Sequence, residues 1–376
     1  MTLATAPGKL ILCGEHAVVY GRPAIALPLS GVRARASVDP GPPGSGIRLH
    51  APALGRSWSL AEAPDDPFSE LVAALVARCS PACAPDFEVV ITSDIPIASG
   101  MGSGAAIATA LVRAVAGHLG AELSAAEISA LVYGSERRFH GTPSGIDNTV
   151  VAFERAVWFV RTKNRERENS EPENRGRENS EPENRGRENS EPENRGRENR
   201  GRENRGRENQ ERENREPGEQ GGSGFSLLGS AMVEPVAIGA PLTLLIGDSG
   251  VRSETRLPVG EVRRRWAAEP ARYEALFDAV GAVVARVRAA LASGDRAELG
   301  RLLDENQALL QEIGVSSPEL DRLVAAARGA GALGAKLSGA GWGGVMIALV
   351  DDERREAVRA ALLEAGAARV LETVVA

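Results

Sequence analysis

Cysteine is scarce in this sequence, with three residues among 376. Cys13, Cys79 and Cys83 are an odd number, which argues against a disulfide framework. Cys79 and Cys83 alone also lack the four-ligand pattern of a structural zinc site. We therefore expect reduced thiols, as in a cytoplasmic protein.

Long apolar runs and an excess of basic charge are also missing. No run reaches the roughly 18 uninterrupted apolar residues that a helix needs to span a bilayer. The first ten residues, MTLATAPGKL, do not join a basic region to an apolar core, so they do not resemble a signal peptide. The net charge is −7, whereas a nucleic-acid-binding face is expected to be basic. The sequence thus predicts a cytoplasmic protein with neither a membrane nor a nucleic acid as its partner.

Apolar side chains disappear from one internal segment. Residues 161–224 include no aliphatic, aromatic, Met or Cys residue, and NRGRENSEPE recurs there with a period of ten before it shortens to RGREN. Such a segment has nothing to bury and cannot offset its ordering entropy, and its mixed charges distinguish it from a basic tail. We interpret it as a disordered insertion in a hairpin between AVWFV and FSLLG. It divides a domain over 1–160 from another over 225–376.

The remaining sequence mixes strand and helix patterns without regular βα alternation, which indicates an α+β fold in two lobes. A helix is predicted to begin near Gly104. The sequence SAAE at positions 124–127 is a capping box, and it predicts a helix that runs to about Phe139. Ser144 is the predicted N-cap of a further short helix, with Asp147 in its first turn.

The stretch DIPIASGMGSGAAIATA, residues 94–110, concentrates glycine before a helix. It lacks the lysine of a Walker A loop, but it fits a loose GxGxxA dinucleotide pattern. Glycines let backbone N–H groups converge on an anion, and a helix N-terminus adds a positive dipole end, so a phosphate site is chemically reasonable. From this stretch alone, a phosphate site, a dinucleotide site and a structural turn all remain open.

Four segments in order resemble the GHMP kinase superfamily and, within it, the mevalonate kinases: APGKLILCGEHAVVYGRPAIALPL, DIPIASGMGSGAAIATA, ERRFHGTPSGIDNTV and KLSGAGWGGVMIAL. The resemblance extends from Ala6 to about Val350, apart from the insertion. It implies an N-terminal lobe similar to ribosomal protein S5 domain 2 and a ferredoxin-like C-terminal lobe. A homodimer is also implied.

The resemblance implies an enzyme that transfers phosphate from ATP, with Mg²⁺, to the 5-hydroxyl of (R)-mevalonate in isoprenoid biosynthesis. Asp147 matches the family's catalytic aspartate, Lys9 the lysine that contacts it, and Glu136 a ligand of Mg²⁺. Ser103 would assist in holding the metal. The residues implied to bind ATP form the loop and helix start: Pro96, Ser99, Gly100, Met101, Gly102, Ser103, Gly104 and Ala105.

The substrate site implied by the resemblance draws on distant segments: Glu15, His16, His140, Thr255, Gly339 and Ala340. Gly339 and Ala340, with Gly341, would also brace the phosphate loop. Two positions depart from the family pattern. Gly104 stands where many mevalonate kinases have a second serine that helps to bind Mg²⁺, and Trp342 interrupts a run of small residues, where it would either narrow the pocket or pack outward.

Three alternatives remain at this stage. The chain could phosphorylate another substrate of the superfamily, such as phosphomevalonate or a sugar. It could be a catalytically inactive binding module, although the joint presence of Lys9, Glu136 and Asp147 argues against that. A nicotinamide-dependent oxidoreductase would bind NAD in preference to ATP, which a nucleotide titration would reveal.

Overall fold

The computed structural model describes residues 1–79, 85–96, 99–140, 144–161, 225–228 and 231–376, and for residues 139, 140 and 225–228 it describes the backbone alone. These residues form twelve strands: β1 (Thr2–Cys13), β2 (Pro23–Pro40), β3 (Ile47–Ala51), β4 (Arg56–Ser59), β5 (Phe87–Ser93), β6 (Val157–Arg161), β7 (Phe225–Leu228), β8 (Ala231–Pro235), β9 (Leu242–Asp248), β10 (Gly334–Ser338), β11 (Val345–Val350) and β12 (Arg369–Val375).

The same residues form nine α-helices: α1 (Pro67–Cys79), α2 (Ser103–His118), α3 (Ala125–His140), α4 (Ile146–Phe153), α5 (Arg256–Ala268), α6 (Pro270–Ser293), α7 (Arg296–Ile313), α8 (Pro318–Gly329) and α9 (Arg355–Glu364). Two short 3₁₀ turns, Ala17–Tyr20 and Pro52–Leu54, complete the regular structure of these ranges.

The first lobe is a mixed sheet with the strand order β4-β3-β5-β2-β6-β8-β7, and β1 pairs with β2 beside this path. Helix α2 packs against β1 and β2, and α1, α3 and α4 pack around it. Its sequence is rich in alanine and valine, which lets it be buried on most of its surface. Helix α2 directly follows the glycine loop, and its packing against the sheet therefore fixes the end of the loop in the core.

The second lobe is an antiparallel sheet with the order β10-β11-β9-β12, covered by α7, α8 and α9. Strand β11 has the sequence VMIALV and is buried at every position, as expected of a strand covered on both faces. One hydrophobic cluster includes residues of both sheets, among them Leu10 of β1 and Leu337 of β10. The α+β fold in two lobes is confirmed, and the lobes share one core.

The predicted hairpin around the insertion is wrong. Strand β6 pairs with β8, with Val157 opposite Pro235, and β7 lies at the sheet edge on the other side of β8. The first sheet therefore includes strands from residues 225–235, which we expected to begin the second domain. The short apolar segments AVWFV and FSLLG were predicted correctly as strands, but pairing order depends on contacts that a local pattern does not encode. The insertion itself, over residues 162–224, lies outside the described ranges.

The predicted helix boundaries agree closely with the structure because they depend on local capping. Ser124 Oγ accepts a hydrogen bond from the Glu127 amide at 3.3 Å, and Glu127 Oε2 accepts one from the Ser124 amide at 2.9 Å, as in a capping box. Helix α4 differs by one residue. Its N-cap is Gly145, whose φ of 88° is left-handed, while Ser144 Oγ accepts from the Ile146 amide at 3.3 Å.

The cysteines and the helices agree with two further expectations. Cys13 is buried, Cys79 is half-buried and both are free thiols, whereas Cys83 lies outside the described residues. Within the described ranges, no helix combines the length and the apolar composition that crossing a bilayer requires.

Candidate active site

Strand β1 is joined directly to the glycine loop at Lys9. The Lys9 amide donates a hydrogen bond to the Met101 carbonyl at 3.0 Å, and the Met101 side chain is buried beneath the loop. Gly102 has a φ of 71°, and a Cβ at this position would lie 2.7 Å from Lys9 Cγ. Glycine is thus required both by the left-handed backbone and by the close passage of the lysine stem.

The ammonium group of Lys9 meets the carboxylate of Asp147. Lys9 Nζ lies 3.0 Å from Asp147 Oδ1, with 5% of the lysine side chain exposed and 32% of the aspartate side chain. Asp147 is in the first turn of α4, where the helix dipole favours a negative charge. The arrangement leaves an ionised carboxylate accessible to a ligand while its partner cation is held in the interior.

A second carboxylate, that of Glu136, faces the start of helix α2. Glu136 is 4% exposed. Burial raises the pKa of Glu136 to about 7, the nearby charge of Asp147 adds to this increase, and Lys9 opposes it. A Cβ on Gly104 would lie 3.0 Å from Glu136 Oε1. Glycine in place of the family serine at position 104 therefore lets this carboxylate lie close against the start of α2, where a Cβ would crowd it.

The carboxylates suit a hard divalent cation. In the described part of the chain, no group of three or more His, Cys, Asp or Glu residues is arranged to hold a metal. Mg²⁺ commonly takes one or two carboxylates and completes its shell with phosphate oxygens and water. Glu136 fits that role because a cation beside it would offset the cost of burying its charge next to Asp147.

The glycine loop is braced by its own serine and by the third glycine motif. Ser99 is buried and donates a hydrogen bond from Oγ to the Pro96 carbonyl at 2.7 Å. A Cβ on Gly344 would lie 3.2 Å from the Ser99 carbonyl. The third motif thus meets the loop at Gly344, whereas Gly341, for which we predicted this contact, packs against Val315.

The remaining loop positions lie where the sequence predicted them. Gly100 has a φ of 78° and open space beside it, Ser103 is the first residue of α2, and Ala105 is buried in that helix. Residues 97 and 98 lie outside the described ranges. The amides at the start of α2 therefore follow two left-handed glycines, a backbone form that suits anion binding.

His16 connects the first lobe to the third glycine motif. It is 5% exposed, its φ is 60°, and its Nε2 lies 2.9 Å from the Ala340 carbonyl. Since a carbonyl only accepts, Nε2 carries the proton in this contact. Burial lowers the pKa of His16 to about 4, although the hydrogen bond to Ala340 opposes the shift. His16 is therefore neutral near pH 7.

Glu15 has a different partner from the one we expected. It is 1% exposed, and its Oε1 forms an ion pair with Nζ of Lys336 in β10, which is fully buried. A carboxylate turned into the interior in this way does not line an open substrate pocket. The sequence analysis missed Lys336, although a lone charge inside the buried strand GAKLS was a usable signal.

The other predicted substrate residues are less closely tied to this cluster. Gly339 follows β10 with a φ of 101° and directly precedes Ala340. Thr255 is exposed at the start of α5, and its side chain does not cap that helix. The side chain of His140 lies outside the described residues.

Trp342 packs against the second lobe. Its φ is 57°, a left-handed value that glycine adopts more readily than tryptophan. The indole Nε1 donates to the Gly314 carbonyl at 3.0 Å, and the Trp342 amide donates to Val315 at 2.9 Å. The indole is thus fixed to the connection between α7 and α8.

Comparisons with known proteins agree with this geometry. The family model for the GHMP kinases N terminal domain matches residues 68–155, and the model for GHMP kinases C terminal matches residues 287–368. The mevalonate kinase of Pyrococcus horikoshii is 30% identical over 384 residues, which cover 97% of this chain and 93% of that protein.

Two solved structures share the fold. L. major mevalonate kinase in complex with R-mevalonate has a TM-score of 0.71 at 24% identity, covering 100% of this chain and 96% of that one. Streptococcus pneumoniae phosphomevalonate kinase in complex with phosphomevalonate and AMPPNP has a TM-score of 0.72 at 15% identity, covering 100% of both. Because kinases with different substrates share this fold, the fold does not choose between them. The sequence identity to a mevalonate kinase, over nearly the full length of the chain, does distinguish between these families. This chain therefore belongs to the mevalonate kinase family of the GHMP kinases.

Proposed function

We propose that this enzyme transfers the γ-phosphate of ATP to the 5-hydroxyl of (R)-mevalonate, giving 5-phosphomevalonate in the mevalonate route of isoprenoid biosynthesis. The observation that carries the proposal is the ion pair between Lys9 and Asp147, set against the glycine loop at Gly102. Phosphoryl transfer chiefly needs positioned reactants and neutralised charge, and this cluster supplies both.

The triphosphate binds at the glycine loop and at the N-terminus of α2. Backbone N–H groups after Gly100 and Gly102 donate to phosphate oxygens, and the helix dipole favours their negative charge. The contact of Gly344 with Ser99 keeps the loop in place from the other lobe. The γ-phosphate is thereby held next to Lys9.

Asp147 acts as the general base. It takes the proton of the 5-hydroxyl while that oxygen forms a bond to the γ-phosphorus, and the bond from the γ-phosphorus to the bridging oxygen breaks to release ADP. Lys9 stabilises the charge that develops on the attacking oxygen and on the transferring group. The burial of its ammonium strengthens this effect, since the surrounding dielectric is low.

Glu136 and Ser103 would hold Mg²⁺, which when bound neutralises charge on the β- and γ-phosphates. Glu136 is deprotonated more readily once a cation is beside it, so metal binding is expected to release a proton near neutral pH. On the acceptor side, His16 and Gly339 fix the backbone at Ala340, which faces the substrate.

A cytoplasmic location and a homodimer belong to the same proposal. Cell fractionation and sedimentation equilibrium test them separately from the chemistry.

A substrate panel tests the function. The alternative is another GHMP kinase substrate, because the fold is shared with a phosphomevalonate kinase. We expect ADP release with mevalonate to exceed that with phosphomevalonate or galactose in kcat/KM. Equal or lower activity on mevalonate would refute the assigned substrate.

The Asp147→Asn variant tests the mechanism within the same assay. It keeps the size of the side chain but removes the base, so kcat should fall by about 10²- to 10⁴-fold. Asp352→Asn makes the same chemical change at a side chain that is 86% exposed, and it should leave kcat unchanged. Near-normal turnover of Asp147→Asn would exclude this residue as the base.

A further inference from the structure

The ion pair between Glu15 and Lys336 joins the two lobes beside the site. Glu15 follows β1, Lys336 lies in β10, and both are almost completely buried. Removing two charges from water is costly, and well-packed apolar residues of the same volume are often at least as stabilising. Stability alone is therefore a poor explanation for a charged pair in this position.

The surroundings of the pair add to the cost of burying it. Burial and the negative charge of Glu15 raise the pKa of the neighbouring Cys13 thiol, so the thiol stays protonated. Lys336 pairs with the carboxylate of Glu15. Its second oxygen, Oε2, is buried and has no hydrogen-bond partner within the described part of the chain, which adds to the cost of keeping Glu15 charged.

The pair is one of three contacts along what we call the β1–β10 seam, formed by the contacts Glu15–Lys336, Ile11–Ser338 and His16–Ala340. Ser338 Oγ accepts from the Ile11 amide at 3.1 Å and donates to the Ile11 carbonyl at 2.8 Å. Because residues at i and i+2 share one face of a strand, positions 336 and 338 of β10 both face the first lobe, and Ala340 meets His16 just beyond the end of that strand. The seam therefore sets the register between β1 and the chain that continues from β10.

The two chain segments that form the β1–β10 seam are both connected to the proposed reaction centre. Lys9 lies two residues before Ile11 on β1, and beyond Ala340 the third motif reaches Ser99 through Gly344. His16 has a left-handed φ of 60°, a conformation that a non-glycine residue keeps only when its surroundings hold it. The Glu15–Lys336 pair is next to this turn in sequence and anchors it.

We propose that Glu15 and Lys336 are a positioning pair that holds the turn of Gly14, Glu15 and His16 against Gly339 and Ala340, and so shapes the acceptor site. This inference rests on the proposed function, because that function defines which substrate the acceptor site takes. The pair acts through His16 and Ala340 and does not touch the reacting atoms.

The double variant Glu15→Gln/Lys336→Met tests this proposal. It removes both charges, keeps the volume and leaves no buried charge unpaired, so its melting temperature should stay close to that of the wild type. We expect KM for mevalonate to rise by about tenfold or more while KM for ATP changes less than about twofold, because the pair orders the acceptor side. A matched control, Arg272→Gln/Glu269→Gln, neutralises an exposed pair at the N-terminal end of α6 and should change neither constant.

Hydrogen exchange provides a readout that does not depend on the substrate. Amides of residues 14–16 and 339–341 should exchange faster in the double variant than in the wild type, with no change in the control. If the wild type does not phosphorylate mevalonate, the proposed function is wrong. The hydrogen-exchange rates of these amides then show by themselves whether the pair fixes the turn.

The single variant Glu15→Gln keeps the proposal testable should the double variant misfold. Gln retains the acceptor for Lys336 but not the charge, and we expect the same selective rise in KM for mevalonate. Wild-type KM values and exchange rates would overturn the proposal. So would a failure of both variants to fold, because the pair would then be a stabilising element and not a positioning one.

Discussion

The charged residues proposed to act in this site differ mainly in their solvent exposure. Lys9 and Glu136 are buried, whereas a third of the Asp147 side chain is exposed. A base must meet its substrate, while a charge that stabilises a transition state acts more strongly away from water. The exposures thus agree with the roles that we propose for the three residues.

Replacing His16 should alter how stability depends on pH. The pKa of His16 is about 4 in the fold against an ordinary 6.5, so the unfolded chain binds more protons between these values. Its stabilising contribution is present above about pH 6.5 and is lost as the pH falls towards 4.

We expect His16→Gln to remove up to about 1.4 kcal/mol per pH unit of this slope in the free energy of unfolding. Urea unfolding of both proteins across the window measures it. Because the pKa of Glu136 is raised, this residue contributes a slope of the opposite sign between pH 4.5 and about pH 7. The variant must therefore be compared with the wild type at each pH. Identical slopes would show that His16 titrates normally in the fold.

Gly104 is the residue at which metal binding can be altered most simply. A serine there would place its hydroxyl beside Glu136 Oε1, as an added oxygen ligand. We expect Gly104→Ser to need less Mg²⁺ for half-maximal activity than the wild type, and Gly104→Ala, which adds only the methyl group, not to. An unchanged requirement in the serine variant would mean that position 104 has no direct role in metal binding.

At the scale of elements, the glycine loop and β1 function as one unit. Gly102→Ala would press a methyl group against Lys9 Cγ at 2.7 Å, and the left-handed φ would add strain. We expect a large loss of kcat together with a lower melting temperature.

The matched control for this substitution is Gly120→Ala. Gly120 has a similar φ of 72° but open space around its Cα, so it isolates the backbone penalty, of about 1 kcal/mol. If both variants lose the same activity, the contact between Gly102 and Lys9 does not matter for catalysis.

The helices and strands also show which features of the fold the sequence could predict. The capping box at 124–127 predicted α3 because a cap is a local pattern, whereas the partners of β6 and β7 were predicted wrongly because strand order is not local. Within the site, the family resemblance anticipated that Lys9 meets Asp147. No local pattern could pair Glu15 with Lys336, which lies 321 positions further along the chain.

In the described part of the chain, the larger of two hydrophobic clusters is built by residues from both sheets, and the smaller one, around Ile146 and Phe159, lies in the first lobe. Deleting residues 164–222 leaves every described strand and helix in place, and it removes no apolar side chain. We expect the melting temperature to change by no more than about 2 °C, which is about 1.5 kcal/mol in a chain of this size, and kcat/KM to be unchanged.

A second variant, in which a short Gly-Ser linker replaces the segment, separates loss of the residues from strain at the new junction. A marked loss of activity or stability in both variants would mean that the insertion contributes to the folded enzyme.

The central claim concerns the bond that is made, so the most direct measurement identifies the product. The enzyme is incubated with ATP, Mg²⁺ and (R)-mevalonate, and the product is examined by ³¹P NMR and mass spectrometry. The account predicts a single phosphate monoester on the primary 5-hydroxyl, formed in equal amount with ADP and about 10²- to 10⁴-fold more slowly with Asp147→Asn. ADP without a phosphorylated mevalonate, or phosphate on the tertiary 3-hydroxyl, would contradict it.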